Sequence, residues 1–445
     1  MYRFGERQPS YWEATAGPPQ PDSATLPRDE SCDVAIIGGG YTGLSAAYHL
    51  ARDYQLDVRV LEAGHIGWGA SGRNGGFCSV GGSKLDLDDE LSTYGLENVR
   101  HYYQSQVDAI DLVLQIIKEE KIDTPMQGDS ELEVAHTPRA FELSKLHAQK
   151  QYRLLGLDTE AISAEKFRER YFDSAEQYGA TRLRPTFGLH PMRYINGLAD
   201  AAIRAGARVH SHSAVIDWSK IGSRHVLTTS GGSLRATRVV MAANGFMPEH
   251  LRSEFAGVPL PMISAIIVTR PLAEDELAAH RWKTDNPAIN SRELLNYFRL
   301  LPDKRFMFGG RGHSSGTASG ANAIGRSLRA QLIRQWPQWR DVDIDYFWHG
   351  LICMTRRMTP CVGRLESDPS VFYGFGYHGN GVNTSTWSGK QIADWLGNSA
   401  ADSTDIPATL PVMVSGMSRS FPLPALRLHY LRVALAWKNI QDRMS

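Results

Sequence analysis

Cysteine is scarce in this chain. Cys32, Cys78, Cys353 and Cys361 are its four, and no two of them stand at C-x-x-C or other metal-ligand spacing. That pattern argues against a disulfide framework or a zinc module, and reduced thiols in a cytoplasmic protein are expected. An excess of either charge is missing too: 48 Lys and Arg balance 48 Asp and Glu. No overall field therefore favours nucleic acid or an anionic membrane, and no basic aromatic stripe suggests a nucleic-acid face. No apolar run approaches the roughly eighteen residues of a membrane span. The start, Met1-Tyr2-Arg3-Phe4-Gly5-Glu6-Arg7, lacks the apolar core of a secretory signal. The expectation is a soluble, cytoplasmic protein whose 445 residues bury a large core and divide into two or three domains.

What the chain does have begins at Asp33. The apolar run Val34-Ala35-Ile36-Ile37 predicts a strand buried on both faces, as in a parallel sheet. Gly38, Gly40 and Gly43 follow at G-x-G-x-x-G spacing, and Leu44, Ala47, Tyr48 and Ala51 then recur at helical intervals. A second apolar strand, Val58-Arg59-Val60-Leu61, ends in Glu62. Strand, glycine turn, helix, strand and acidic residue form the whole dinucleotide-binding unit. Gly38 makes the tight turn, Gly40 admits a pyrophosphate, and Gly43 lets helix and strand approach. The helix N-terminus offers N–H donors to phosphate, and Glu62 can accept from ribose hydroxyls.

Next comes Gly64-His65-Ile66-Gly67-Trp68-Gly69-Ala70-Ser71-Gly72-Arg73-Asn74-Gly75-Gly76, too glycine-rich for regular structure and suited to close approach by a ligand. Before the first strand, residues 1–30 are proline-rich (Pro18, Pro19, Pro21, Pro27) and predict an extended arm, with Tyr11 and Trp12 favouring docking. Residues 86–175 predict an inserted helical region without site chemistry, on intervals such as Val107, Ile110, Val113, Leu114 and Ile117. His190-Pro191 leads into a helix from Ile195 to Ala205, with Pro191 near its first turn, and His190 either faces a ligand or caps. Ser211–Trp218, His225–Thr229 and Val239–Ala243 predict strands that resume the first sheet, stopped by Asn244-Gly245. From Pro261 to Gly310 a separate antiparallel sheet is expected, with a glycine close-approach point at Gly309-Gly310. A helix then a strand is expected over 324–349, a strand at Val371–Gly376, a turn at Gly379–Val382, and a helix from Ser388 to Leu396. In a C-terminal helix, Leu426, Tyr430, Val433, Trp437 and Ile440 would share one face, either lying on a membrane surface or packing back on the chain.

The chain resembles the FAD-dependent D-amino-acid-oxidase and glycine-oxidase superfamily, and within it the branch that oxidises gamma-glutamylputrescine. The likeness rests on Cys32 to Gly43, Gly67 to Gly76, His190-Pro191, Leu295 to Gly310, Arg357-Met358 to Leu365, Gly376-Tyr377 to Val382, and Phe421-Pro422 to Arg443. It implies an α/β (α+β) fold, a Rossmann-like FAD-binding domain interleaved with an antiparallel-sheet substrate domain. The implied division is an arm at 1–30, FAD-binding segments 31–95, 180–260 and 350–400, substrate-binding segments 96–179 and 261–349, and an extension at 401–445. The implied FAD positions are Gly38, Gly40, Tyr41, Thr42, Gly43, Glu62, Ala63, Gly69, Ala70, Ser71, Arg73, Asn74, Gly75 and Gly76. Val215, Ala243, Gly245, Gly379, Asn380, Gly381 and Val382 complete the set. Asn380 stands where relatives commonly carry histidine, and Thr355-Arg356-Arg357 is more basic than the matching segment.

The expected activity is oxidation of an amine or amino-acid C–N bond by hydride transfer to flavin N5. An imine, then an aldehyde and ammonia, would result, with oxygen reduced to hydrogen peroxide. The Gly379–Val382 turn can offer N–H donors to charge developing at the flavin N1–C2=O edge. Candidate substrate contacts are Tyr297, Arg299, Arg311, Arg356 and His378, an arginine fork suiting a substrate carboxylate. Non-covalent FAD is expected, with a link to Cys353 as the alternative. A single dinucleotide fingerprint leaves no second site for NAD(P)H. Two other readings stand beside this one: a dehydrogenase serving a membrane or quinone acceptor through residues 421–445, and a flavin-binding subunit without turnover.

Overall fold

The run Val34–Ile37 lies at the centre of the first sheet in the computed structural model, which describes residues 3–17, 25–313, 318–398 and 406–444. Its strand, Glu30–Ile37, pairs in parallel with Val58–Leu61 on one side and Ser233–Met241 on the other. Both faces are covered, which explains an apolar run without polar alternation. Val34 and Ile36 pack with Leu44, Tyr48, Ile195 and Ile392 of the helices Tyr41–Tyr54, Pro191–Arg204 and Val382–Asn398. Ala35 and Ile37 face Trp218, Leu251 and Phe255 on the other side. Arg208–His210 continues the sheet beyond Val58–Leu61, and Val371–Phe375 then Cys361–Arg364 continue it beyond Ser233–Met241. The hairpin Asp217–Ile221 with Arg224–Thr228 is attached to Ser233–Met241.

The second sheet runs in the order Ile344–Met354, Leu260–Pro271, Arg305–His313, Asn296–Leu300, Ala288–Asn290, Glu131–Val134, Gly179–Arg184, Asp158–Ser163. Every pairing is antiparallel except that of Ala288–Asn290 with Glu131–Val134, which is parallel. On one face Phe298, Phe306 and Phe308 pack with Trp336 and Trp339. Alternation along the strands puts Tyr297, Arg299 and Met307 on the other face, towards the first sheet.

Several local expectations are corrected. Residues 86–175 hold the helices Leu87–Tyr94, Leu96–Glu119, Pro138–Leu155 and Ala164–Arg170, but also two strands of the second sheet. Those strands are short and set in polar sequence, so they leave no long period-two signal. Leu96–Glu119, expected with the substrate segments, buries Val99, Tyr102, Ile110 and Val113 in the core beside the first sheet. Gly179–Arg184 and the whole of Ile344–Met354 lie in the second sheet, across the segment boundaries expected at 180 and 350. Ser211–Ile216 is irregular; the strand begins at Asp217. The helix after His190 starts at Pro191, with His190 as its N-cap: its Nδ1 accepts from Arg193 N. The last helix of the sheet begins at Val382, directly at the glycine turn.

The arm carries a short helix, Tyr11–Thr15, capped by Ser10, and Trp12 is 1% exposed with its indole N–H on Asn74 O at 2.9 Å. Pro18, Pro19 and Pro21 lie outside the described residues. The C-terminal helix Arg427–Met444 packs back through Leu431 and Leu435 onto Leu260 and Met262. The face expected to pack is turned outward instead: Val433 is 70% and Trp437 61% exposed. No helix among the described residues is long and apolar enough to cross a membrane.

Candidate active site

The glycine turn opens a cavity of about 390 Å³ at the C-terminal edge of the first sheet. Gly38 has φ +107°, and a Cβ there would meet Ala242 O at 2.8 Å; one on Gly43 would lie 2.0 Å from Gly38 O. These two positions therefore require glycine: one for the turn, one for the contact of helix with strand. Glu62 accepts from Gly39 N at 2.7 Å and Gly64 N at 2.8 Å. Burial pushes its carboxyl up, and those amides oppose the shift. Ser71 Oγ accepts from Tyr41 N at 3.0 Å, which fixes the glycine-rich loop beside the helix N-terminus. Asn74 braces that loop from within, donating to Ser71 O and accepting from Gly76 N. Arg73 donates to Trp68 O at 2.6 Å and lies over the Trp68 ring.

The structure gathers Gly38, Gly40, Tyr41, Thr42, Glu62, Ala63, Gly69, Ala70, Ser71, Asn74, Val215, Ala243, Gly379 and Gly381 around this cavity. A second cavity, about 180 Å³, joins it where Ala70, Asn74, Leu351, Ile352, Gly379 and Gly381 line both. Arg73, Gly75, Asn380 and Val382 belong to the second cavity. Gly43, Gly76 and Gly245 line neither. Gly43 serves the helix contact, Gly76 lets the chain pass Leu189 O, and Gly245 sits against Leu351.

Tyr297 and Arg311 line the second cavity, together with Ser264. The Tyr297 hydroxyl is 2.9 Å from Ser264 Oγ, and its ring lies across Gly309, where a Cβ would be 2.2 Å away. Burial pushes this phenol up to about 12, so it stays protonated. His378 borders the first cavity at φ +53°. Thr355 gives its hydroxyl proton to Thr359 O, so His378 Nε2–H donates to Thr355 Oγ1 and Nδ1 is left as a buried, unpartnered acceptor. Burial, and then the charge of Lys84, take this imidazole down to about 3. Asn380 is locked by Ser79, donating to its carbonyl at 2.9 Å and accepting from its hydroxyl at 3.1 Å.

Two candidates lie elsewhere. Arg299 is buried under Trp12 and donates to Leu189 O at 2.5 Å and Gln127 Oε1 at 3.1 Å, so it pins the arm and the Leu189 segment. Arg356 is exposed and, among the described residues, reaches only Ser420 O. Cys353 lines the first cavity, and burial pushes its thiol up.

The sequence reading missed Phe4, Trp68 and Phe246, a chain of ring contacts along the first cavity, and the charged pair Lys84 and Glu131 in the second. Gly81-Gly82 beside Lys84 is the only local signal; Glu131 has none. Lys84 is exposed as a residue, but enclosure of its ammonium, then the charge of Arg311, lower it; burial, then Glu133, raise the half-buried Glu131 to about 7.

A family model described as FAD dependent oxidoreductase matches residues 33–395. Gamma-glutamylputrescine oxidoreductase of Escherichia coli K12 is 31% identical over 99% of both chains. A probable oxidoreductase, OrdL, of Rhizobium meliloti is 30% identical over 98% of this chain and 97% of its own. Among solved structures, glycine oxidase from Geobacillus kaustophilus superposes with TM-score 0.71 at 20% identity, covering 88% of this chain and all of that one. FAD is the cofactor, and the residues present fit it. Glycines 38 to 40 leave a cradle that a side chain would fill, and an unpartnered acceptor, His378 Nδ1, waits beside the other end. Two helix N-termini, after Gly40 and Gly381, open onto the same cavity.

Proposed function

The chain belongs to the family of FAD-dependent oxidoreductases, and on that premise we propose that it oxidises the C–N bond of an amine or amino acid, with a gamma-glutamylputrescine-like amine as substrate, in the cytoplasm. The observation that carries this reading is the second cavity, which opens onto the first beside the Gly379–Gly381 turn and is walled by Tyr297, Ser264 and Arg311. The Escherichia coli relative, similar over its whole length, supports the choice of substrate. Bound FAD supplies the electron acceptor.

The rest falls to the chain itself. The reacting amine must enter as its neutral form, because a protonated nitrogen has no lone pair to stabilise the forming imine. Tyr297, kept protonated, can donate to or accept from the substrate while its ring closes one side of the cavity. Arg73, Asn74 and Asn380 are themselves tied down, so they hold the walls at the junction in fixed positions. The N-terminus of Val382–Asn398 favours negative charge at the turn. Water then hydrolyses the imine to an aldehyde and ammonia. The test is product analysis in air with gamma-glutamylputrescine: equal amounts of aldehyde, ammonia and peroxide support the reading, and none of the three would sink it.

One observation favours a variant of this reading, in which a membrane acceptor takes the electrons: the outward apolar face of Arg427–Met444, with Val433 and Trp437 exposed.

A further inference from the structure

Lys84 and Arg311 reach the same small cavity from different elements, Lys84 from the segment after Phe77–Cys78 and Arg311 from the strand Arg305–His313. Neither forms a salt bridge with a described residue; the charge of Arg311 bears on Lys84, and that of Glu131 on both. Glu131, from Glu131–Val134, lines the same cavity. It too has no ion-pair partner within contact among the described residues. Lys84 is exposed and Arg311 and Glu131 are half-buried, yet all three line this one cavity and none closes an ion pair with a described residue. Their charge is therefore left for a ligand of complementary charge to complete. Two cations and one carboxylate around one cavity complement a ligand that carries a carboxylate and an ammonium.

We infer that this cavity recognises a zwitterionic head: Glu131 takes an ammonium, and Lys84 with Arg311 takes a carboxylate, at the substrate end remote from the oxidised amine. The inference rests on the amine-oxidation reading and deepens it. A gamma-glutamyl amide leaves its α-ammonium and α-carboxylate free, so it presents both groups at one end and the reactive amine at the other. Arg311 alone would accept any acid. Lys84 and Glu131 together demand both signs, and so discriminate against simple diamines and against N-acyl amines lacking the head. The titrations agree in direction: Lys84 is lowered and Glu131 raised, so an entering head drives both towards their charged forms. The other groups facing them are Arg311, Glu133, the protonated Tyr297 and the neutral His378.

The test uses the FAD-loaded full chain with three amines: gamma-glutamylputrescine, glutarylputrescine, which lacks the ammonium, and butanoylputrescine, which lacks both groups. In Glu131→Gln, the ratio of kcat/KM for gamma-glutamylputrescine to that for glutarylputrescine should fall about tenfold, as loss of one charge-assisted hydrogen bond predicts. In Lys84→Gln, the ratio for glutarylputrescine to butanoylputrescine should fall similarly. Equal losses on all three amines would mean a merely structural role and overturn the inference. Binding of L-glutamate, read as a perturbation of the flavin spectrum without turnover, provides a second measurement. About tenfold weaker binding in each variant is expected, and unchanged binding overturns it. If the wild type binds L-glutamate through these residues yet oxidises none of the amines, the amine-oxidation reading fails and the head-group assignment stands.

Discussion

Replacing Arg299 with methionine should lower stability by about 2–4 kcal/mol, because Leu189 O and Gln127 lose a buried, charge-assisted donor and Trp12 loses its cationic floor. Chemical denaturation measures this, and Arg356→Ala, exposed, should stay within about 0.5 kcal/mol of the wild type. The same two positions explain what single residues concealed. Tyr297 and Arg299 share a face of one strand, yet only Tyr297 reaches the cavity, because Trp12 and Leu189 cover the next pair along. Nothing local distinguishes an arginine that meets substrate from one that pins an arm. Glu131 was invisible for the opposite reason: its neighbours in the site come from distant segments. Cys353 yields a second residue-scale outcome. Burial keeps its thiol protonated and so withholds the thiolate that a flavin link requires. Acid precipitation should therefore leave a colourless pellet and a yellow supernatant; a yellow pellet would mean a covalent flavin.

At the scale of elements, the strand–turn–helix unit was legible because its signals are contiguous: an apolar run, three glycines and an acidic residue whose roles depend on near neighbours. Gly43→Ala should test it, since a Cβ 2.0 Å from Gly38 O forces Tyr41–Tyr54 off its strand. The expected result is a fall in bound flavin per chain, read from the ratio of visible to ultraviolet absorbance; full occupancy would show that the contact is dispensable. The short strands Glu131–Val134 and Asp158–Ser163 were not legible, since they acquire strand character only by pairing across the second sheet. The loop between Cys361–Arg364 and Val371–Phe375 carries an acid-sensitive tie. Burial opposes ionisation of Asp368, but Lys220 at 2.8 Å, Ser370 and the nearby His225 outweigh it and hold the carboxyl down at about 2. A lowered folded value contributes stability above the ordinary carboxylate range, which is lost as pH falls from about 4 towards 2. Asp368→Asn should cost about 1–2 kcal/mol near neutrality and flatten that acid limb, as measured by unfolding across pH.

For the whole molecule, the two-sheet architecture follows from its sequence patterns, but the seams do not. The helix Leu96–Glu119 packs beside the first sheet although its neighbours in sequence build the second, and no boundary in composition marks the exchange. The C-terminal helix shows the same limit: its apolar stripe was readable, but contact with Leu260 and Met262 selected Leu431 and Leu435 instead. Removing residues 421–445 separates the two electron acceptors. If oxygen is the acceptor, peroxide formation persists in the truncated, FAD-loaded chain. If a membrane acceptor is used, reduction of a quinone in vesicles is lost while reduction of a soluble dye remains. The central claim, that bound flavin takes electrons from an amine seated in the second cavity, is tested most directly by mixing the FAD-loaded protein with gamma-glutamylputrescine under anaerobic conditions in the dark. The account predicts that the visible flavin absorption bleaches and returns when air is admitted. A flavin that stays oxidised with this amine, while dithionite bleaches it, would contradict the account.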